Sequence, residues 1–414
     1  MAGIKSIKAK EITDSRGKLT VEAEVTTDSG RFFASVPSGT STGKFEAKAK
    51  EAKVAVKNIN EVISPKIVGK SAVSQKQVDD LLVKDKSRLG ANATLAVSIA
   101  VLRAGAKAQK LSLWKWISEI ADARPKLPFP SVLQVEGGLH GSKGGADIQE
   151  FMTAFQGRSF RENFSRGVKV YKVLKIVLTK RYGKKAARLG LEGAFIPSIK
   201  KFEEGEPSSL PSLRKRSSET EEILDLIMEA AEKAGLRNKV KIILDIAASH
   251  SRASAKGEEE SLLSSPSYYL GLAKQYPILG FEDPFPEDDW KNWRAIMSKV
   301  KSQKSKIIII GDDLTVTNPE RIRQAYKKRA CNAVIIKPNQ IGTVSEAIAA
   351  AKLAKSFGWK IMVSHRSGET MDDFIADLAV GIGADFIKSG APSRPERMAK
   401  YNRLLKIEEE LHKN

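Results

Sequence analysis

Six short apolar runs in the later part of the 414-residue chain each end on a polar side chain. KIILDIA stops at Asp245, PILGFEDP at Glu282, KIIIIGDDL at Asp312, AVIIKP at Lys337, IMVSHR at His365 and DFIKSG at Lys388. Three successive runs end on carboxylates. Converging carboxylates repel, so a cation is expected among them, and oxygen-only ligands favour Mg²⁺ over zinc. Two runs end on lysine. A desolvated lysine near a dication holds its proton less tightly and can act as a base. In VSHRSGET, Arg366 and Ser367 offer a planar fork of donors and a hydroxyl, which suits a phosphate, and His365 can add a donor or relay a proton. The loop PSGTSTG, Pro37 to Gly43, is a second phosphate- or metal-binding candidate. One acid alone would read as a helix cap and one lysine as a surface side chain; the recurrence at run ends argues for a site.

Each run is short, β-branched or aromatic, and apolar on both faces, as parallel strands buried on both sides are. The polar ends recur roughly every 23–37 residues, one strand–helix unit apiece. Six such ends in series point to a (β/α) barrel, whose functional face lies at the strand C-termini. The competing doubly wound sheet usually carries a glycine-rich phosphate loop after its first strand, and neither G-x-G-x-x-G nor a P-loop motif occurs. The first part of the chain reads differently. TVEAEV alternates, the turn TDSG follows, and RFFASV returns, which is a hairpin pattern. Helical periodicity then covers residues 46–63, 74–86 and 92–109. Strands followed by helices predict a smaller α+β domain over residues 1–125, with DARPKLPFP as the connector to a barrel over 126–414. The polar stretch from Lys200 to Thr220 reads as a surface insertion, and GGLHGSKGGADIQ as a mobile loop.

With 41 % hydrophobic and 29 % charged residues the chain reads as a globular, soluble protein. No apolar run approaches a membrane span, and the N-terminus lacks a signal-peptide core. One cysteine, Cys331, rules out an intrachain disulfide and suits the cytoplasm; four histidines make a His-rich zinc site unattractive. The net charge is +21, from 70 Lys and Arg against 49 Asp and Glu. The basic residues read as spread along the chain with no interleaved aromatics, so nucleic acid is possible but not the favoured partner.

Taken together, DSRG, TVEAEV, VPSGTSTG, QEFM, LDIAAS, FEDPF, GDDLTVTNP, IIKPNQIGT, VSHRSGET and IKSGAP, in that order over nearly the whole chain, resemble the enolases, the glycolytic 2-phosphoglycerate dehydratases. The resemblance implies an enolase-type barrel and two Mg²⁺ per site. Asp245, Glu282 and Asp312 would hold the first ion, and Ser41 would help hold the second. Lys337 would take the C2 proton. Glu192, supported by Glu150, would protonate the leaving C3 hydroxyl. His365, Arg366 and Ser367 would contact the substrate or its phosphate, Lys388 would pair with the carboxylate, and His140 would close over it. A homodimer or higher homo-oligomer is implied likewise. The chain departs from the family pattern in places. Glu136 stands where Asn is usual and Gly141 where Ala is. Leu191 and Ala194 flank Glu192 where Asp and Gly are usual, and Leu191 would make the surroundings of Glu192 less polar. Lys18-Leu19 replaces Asn-Pro, the loop from His140 to Glu150 is a residue longer, and the segments after Glu46 and after AASHS are short. Two other readings follow from these departures and the charge: a lyase or transferase of the same chemistry on another phosphorylated or phosphonate acid, and a basic, RNA-associated protein on this fold without turnover.

Overall fold

The computed structural model describes residues 3–40, 43–138, 148–197, 219–250 and 262–412. The chain opens with a three-stranded antiparallel sheet in the order β1 (Ile4–Thr13), β2 (Leu19–Thr27), β3 (Gly30–Ser35). The hairpin expected from TVEAEV and RFFASV is β2–β3, with Thr27 opposite Gly30. In β2 the alternation places Val21, Ala23 and Val25 in the core. β1, paired with β2 alone, shows few buried positions, which is why its sequence carries no period-2 signal. Six helices follow: α1 (Ala52–Asn58), α2 (Ser64–Ile67), α3 (Gln75–Lys84), α4 (Lys86–Leu89), α5 (Ala91–Ala108) and α6 (Leu113–Ala121). α5 is buried along most of its length. The helix expected from residue 46 begins instead at Ala52. Upstream backbone groups are taken by other partners: Ala47 N–H donates to the Gln340 carbonyl (2.8 Å), Lys50 N–H to the Asn92 side chain (3.0 Å), and the Lys48 carbonyl accepts from Ala91 N–H (3.0 Å). These bonds hold the segment extended against intrahelical pairing.

Eight strands close into a barrel. They are β4 (Phe129–Glu136), β5 (Glu150–Ala154), β6 (Lys241–Asp245), β7 (Ile278–Glu282), β8 (Ile308–Gly311), β9 (Ala333–Ile336), β10 (Lys360–Ser364) and β11 (Phe386–Lys388). The last six are the six apolar runs, and their residues are buried almost throughout. β5 is antiparallel to both β4 and β6, while β6–β7–β8 and β9–β10–β11 are parallel. The barrel helices are α7 (Phe160–Tyr182), α8 (Glu219–Lys233), α9 (Pro266–Gln275), α10 (Trp290–Ser302), α11 (Pro319–Lys327), α12 (Pro338–Ile341), α13 (Val344–Ser356), α14 (Phe374–Gly381) and α15 (Pro395–His412). Several start on side-chain caps. Ser159 accepts from Glu162 N–H at α7, and Thr343 accepts from Glu346 N–H at α13, both with the S/T-x-x-E spacing. No helix among the described residues is long and apolar enough to cross a membrane.

By internal packing the chain forms two compact units, residues 1–128, 311–389 and 395–414 in one, and 129–310 with 390–394 in the other.

Candidate active site

In the unit of residues 129–310 and 390–394, strand register lines up four acids. Glu136 on β4 is opposite Glu150 on β5, Glu150 is opposite Asp245 on β6, and Asp245 is opposite Glu282 on β7. Opposite residues point to the same face of a sheet and neighbouring strands are about 4.8 Å apart. All four are buried; Glu282 is 0 % exposed and Asp245 5 %. Glu150 opens its strand, whereas the other three close theirs, because β5 runs the opposite way. A rule that looks for polar residues at run ends therefore passes over it. Asp245 and Glu282 are adjacent, in register and buried. Two such carboxylates repel unless a cation lies between them, and an all-oxygen donor pair suits a hard one. These residues fit Mg²⁺.

Glu192 is buried, at 2 %, in a tight turn over residues 188–196 that is laced to β4. Gly190 N–H donates to the Ala194 carbonyl (2.8 Å), Ile196 N–H to the Arg188 carbonyl (3.0 Å), and Glu136 N–H to the Phe195 carbonyl (2.8 Å). Gly193 turns the chain at φ +86°. The Glu136 carboxylate fills the inside of this turn, accepting from Glu192 N–H at 3.0 and 3.1 Å and from Ala194 N–H at 2.8 Å. Leu191, by contrast, is 36 % exposed. The apolar neighbour expected beside Glu192 faces outward instead, and the side chain wrapped by the Glu192 turn is the acid Glu136.

The other unit carries Asp312, Lys337, His365, Arg366, Ser367 and Lys388. Ile336 is opposite Val363, and Ser364 opposite Lys388, so Lys337, Ser364 and Lys388 stand at one level across β9, β10 and β11. Lys337 Nζ contacts Asp312 Oδ2 directly, and Gln340 Nε2 donates to Asp312 Oδ1 (2.9 Å). Burial pushes the Asp312 carboxyl up, but Lys337, with Lys388 and Arg366 adding to it, holds it below the usual carboxylate value. The same contact fixes where the Lys337 nitrogen stands. Thr317 links this pair to the backbone: its hydroxyl donates to Gln340 Oε1 (2.7 Å) and accepts from Lys337 N–H (2.9 Å). Val316 and Thr317 lie at φ +42° and +56°. Two consecutive β-branched residues in the left-handed region are strained, and such strain concentrates where a side chain must be aimed.

Arg366 makes a forked pair with Glu46, Nη1 to Oε2 at 3.0 Å and Nη2 to Oε1 at 3.2 Å, and reaches Asn339 Oδ1 (3.2 Å). Burial acts to lower the Arg366 value, and Glu46 more than reverses it, so the guanidinium is held firmly charged. Ser367 Oγ receives Thr40 N–H and meets the Thr40 hydroxyl, both at 2.8 Å. PSGTSTG is thus tied to VSHRSGET by bonds that span over 300 residues. His365 Nδ1 lies 2.6 Å from Arg397 Nη1. A guanidinium only donates, so Nδ1 accepts and the ring proton sits on Nε2. Arg397, fully buried on α15, also donates to the carbonyls of Arg366 and Ser367 (2.6 Å each).

Ser41 and His140 lie outside the described residues, as does all of the 200–220 stretch before Glu219, where α8 begins. Sequence reading passed over Glu46, Arg397 and the anchoring role of Glu136. Glu46 sat inside an expected helix. For Glu136 a faint signal existed, since an acid there and glycines at 190 and 193 depart from or bend the surrounding pattern.

Buried acids in register at the ends of neighbouring strands of a closed barrel mark the class as an α/β barrel, and comparison with known proteins narrows it. Residues 4–117 match the family described as enolase, N-terminal domain, and residues 124–414 match enolase, C-terminal TIM barrel domain. The chain is 42 % identical over 448 aligned positions to an enolase of Solanum lycopersicum, covering 99 % of this chain and 96 % of that protein. It is 41 % identical to an enolase of Mastigamoeba balamuthi, covering 100 % and 97 %. The chain belongs to the enolase family, a family of lyases, and as an enzyme it is a phosphopyruvate hydratase.

Proposed function

We propose that the chain reversibly dehydrates 2-phospho-D-glycerate to phosphoenolpyruvate, as a cytoplasmic step of glycolysis and gluconeogenesis. The observation that carries this is the buried, in-register pair Asp245 and Glu282 on β6 and β7, whose all-oxygen donors suit a hard cation, in a chain of the enolase family. Residues 1–125 form the domain that supplies the closing loop and 126–414 the catalytic barrel, and a homodimer or larger homo-oligomer is the working assembly.

Asp245, Glu282 and Asp312 hold one Mg²⁺, and Ser41 helps hold a second. Bound there, Mg²⁺ supplies the positive charge that makes a second negative charge on the substrate carboxylate tolerable. Lys337 takes the C2 proton. Its contact with Asp312 fixes where the nitrogen stands and gives the proton, once taken, a neighbouring negative charge. Glu192 gives a proton to the departing C3 hydroxyl, with Glu150 in support. Lys388 pairs with the carboxylate. Arg366 and Ser367 bind the phosphate side, and His365, with its proton on Nε2, presents a donor to the substrate. His140 closes over it.

The test is turnover of 2-phosphoglycerate with Mg²⁺. EDTA is expected to abolish it and added Mg²⁺ to restore it, and Asp245→Ala or Glu282→Ala to lower kcat by at least ~10³-fold, since each leaves a buried acid without its counter-charge. Full activity in metal-free buffer would refute the reading.

A further inference from the structure

Glu136 stands at the β4 end of the buried acid series, and its surroundings are built around a carboxylate. Both of its oxygens accept from Glu192 N–H, and Oε1 also accepts from Ala194 N–H. Bonds from N–H groups to an ionised acceptor are stronger than those to a neutral one. The fit leaves no slack. A Cβ on Gly190 would stand 2.5 Å from Glu136 Oε2. The outer, carbonyl side of the turn is held as well. Arg394 Nη2 donates to the Gly190 carbonyl (2.7 Å), Ala391 N–H to that of Glu192 (3.1 Å), and the Tyr171 and Ser393 hydroxyls to that of Gly193 (2.6 and 2.7 Å). The backbone of Glu192 is therefore gripped from both sides, with the Glu136 carboxylate on the inner one.

We propose that Glu136 is the positioning residue for Glu192: by accepting N–H groups from Glu192 and from Ala194, its carboxylate sets where the Glu192 side chain stands. This rests on the reading of Glu192 as the acid that assists the C3 hydroxyl. Glu136 itself touches no substrate in this scheme. A glutamine would keep the shape but not the function, because it has one acceptor oxygen and would turn an NH₂ group toward the Glu192 N–H.

The experiment is Glu136→Gln in the full chain, read in three ways. Hydrogen–deuterium exchange over residues 188–196 is expected to quicken by about tenfold, the usual consequence of losing a charge-assisted bond. Dehydration of 2-phosphoglycerate is expected to fall by about 10²-fold, the scale of a misplacement near 1 Å. Exchange of the C2 proton with D₂O, which depends on Lys337, is expected to change little. Gly190→Ala, which pushes on the same carboxylate from the other side, should give the same pattern. Unchanged amide exchange in both variants would overturn the proposal. So would a loss of C2 exchange as deep as the loss of dehydration, since Glu136 would then act on the whole site and not through Glu192. The amide measurement needs no turnover, so it decides the positioning role even if 2-phosphoglycerate is not the substrate.

Discussion

Lys337 and Glu192 serve different steps in the proposed reaction, and their loss leaves different residual chemistry. Lys337→Ala removes the base. It should slow both dehydration and C2 proton exchange by about 10²–10⁴-fold, the range of general-base contributions. Glu192→Gln should slow dehydration by a similar factor while exchange continues, because forming the carbanion does not need the acid. NMR of 2-phosphoglycerate in D₂O follows both at once. Rapid exchange persisting in Lys337→Ala would mean that another group is the base. At this scale the charged ends of the runs were visible in the sequence, but their partners were not. The Lys337–Asp312 contact joins residues 25 apart through two strand ends, and the Arg366–Glu46 fork joins residues 320 apart.

Among the elements, α15 is the one that holds VSHRSGET from behind. Lys400 donates to Glu369 Oε2 (2.7 Å) and to the Thr370 carbonyl (2.6 Å), and both charged side chains are almost wholly buried. Lys400→Met would leave Glu369 charged and dry, so a loss of about 3–5 kcal/mol is expected in urea unfolding, the cost of breaking a buried pair from one side. A change below about 1 kcal/mol would show the pair to be solvated like a surface one. The loop that ends at α14 is anchored by a second pair. Arg103 on α5 binds both oxygens of Asp372 (2.7 and 2.8 Å), which also accept from Ser35 and Phe374 N–H. Burial pushes the Asp372 carboxyl up, but Arg103 and these N–H groups hold it below its ordinary value. The native protein thus binds that proton at lower pH than the unfolded chain does. The stabilisation is present above the unfolded value of about 3.9 and disappears as pH falls through the native one. Acid unfolding followed by circular dichroism should show a shallower loss on the acid side in Asp372→Asn than in the parent. Identical slopes would remove Asp372 from the account.

For the whole molecule, the +21 charge is unevenly spread along the chain. Residues 158–188 hold eleven Lys and Arg against one acid, Glu162, so less than a tenth of the chain carries ten of the twenty-one net charges. On α7 and the turn after it, Lys169, Lys172, Lys175, Lys180, Lys184 and Lys185 are exposed. Arg166 and Arg181 of this stretch find acids in close ion pairs, Glu162 and Glu229. Like charges along one helix face repel, and salt screens them. The melting temperature should rise between about 10 and about 150 mM NaCl, as the screening length falls from about 30 to about 8 Å. Lys172→Glu should raise it at low salt and reduce the salt response. A melting temperature that falls with salt would show that favourable pairs, not repulsion, dominate this surface.

Local physics explains what the sequence determined unaided. A strand buried on both faces must be apolar from end to end, so β6 to β11 stood out as runs, and whatever ended each run was legible as Asp245, Glu282, Asp312, Lys337, His365 or Lys388. The hairpin β2–β3 and the helix α5 were legible for the same reason, since burial imposes its period on neighbouring residues. Tertiary structure alone decided the rest. Glu150 joined the acids because β5 runs backwards. Residues 46–51 lost their helix because other segments took their backbone bonds. Leu191 turned to solvent while Glu136 filled the inside of its loop. Each of these depends on which groups meet across long stretches of chain, and periodicity reports only how a residue relates to its near neighbours.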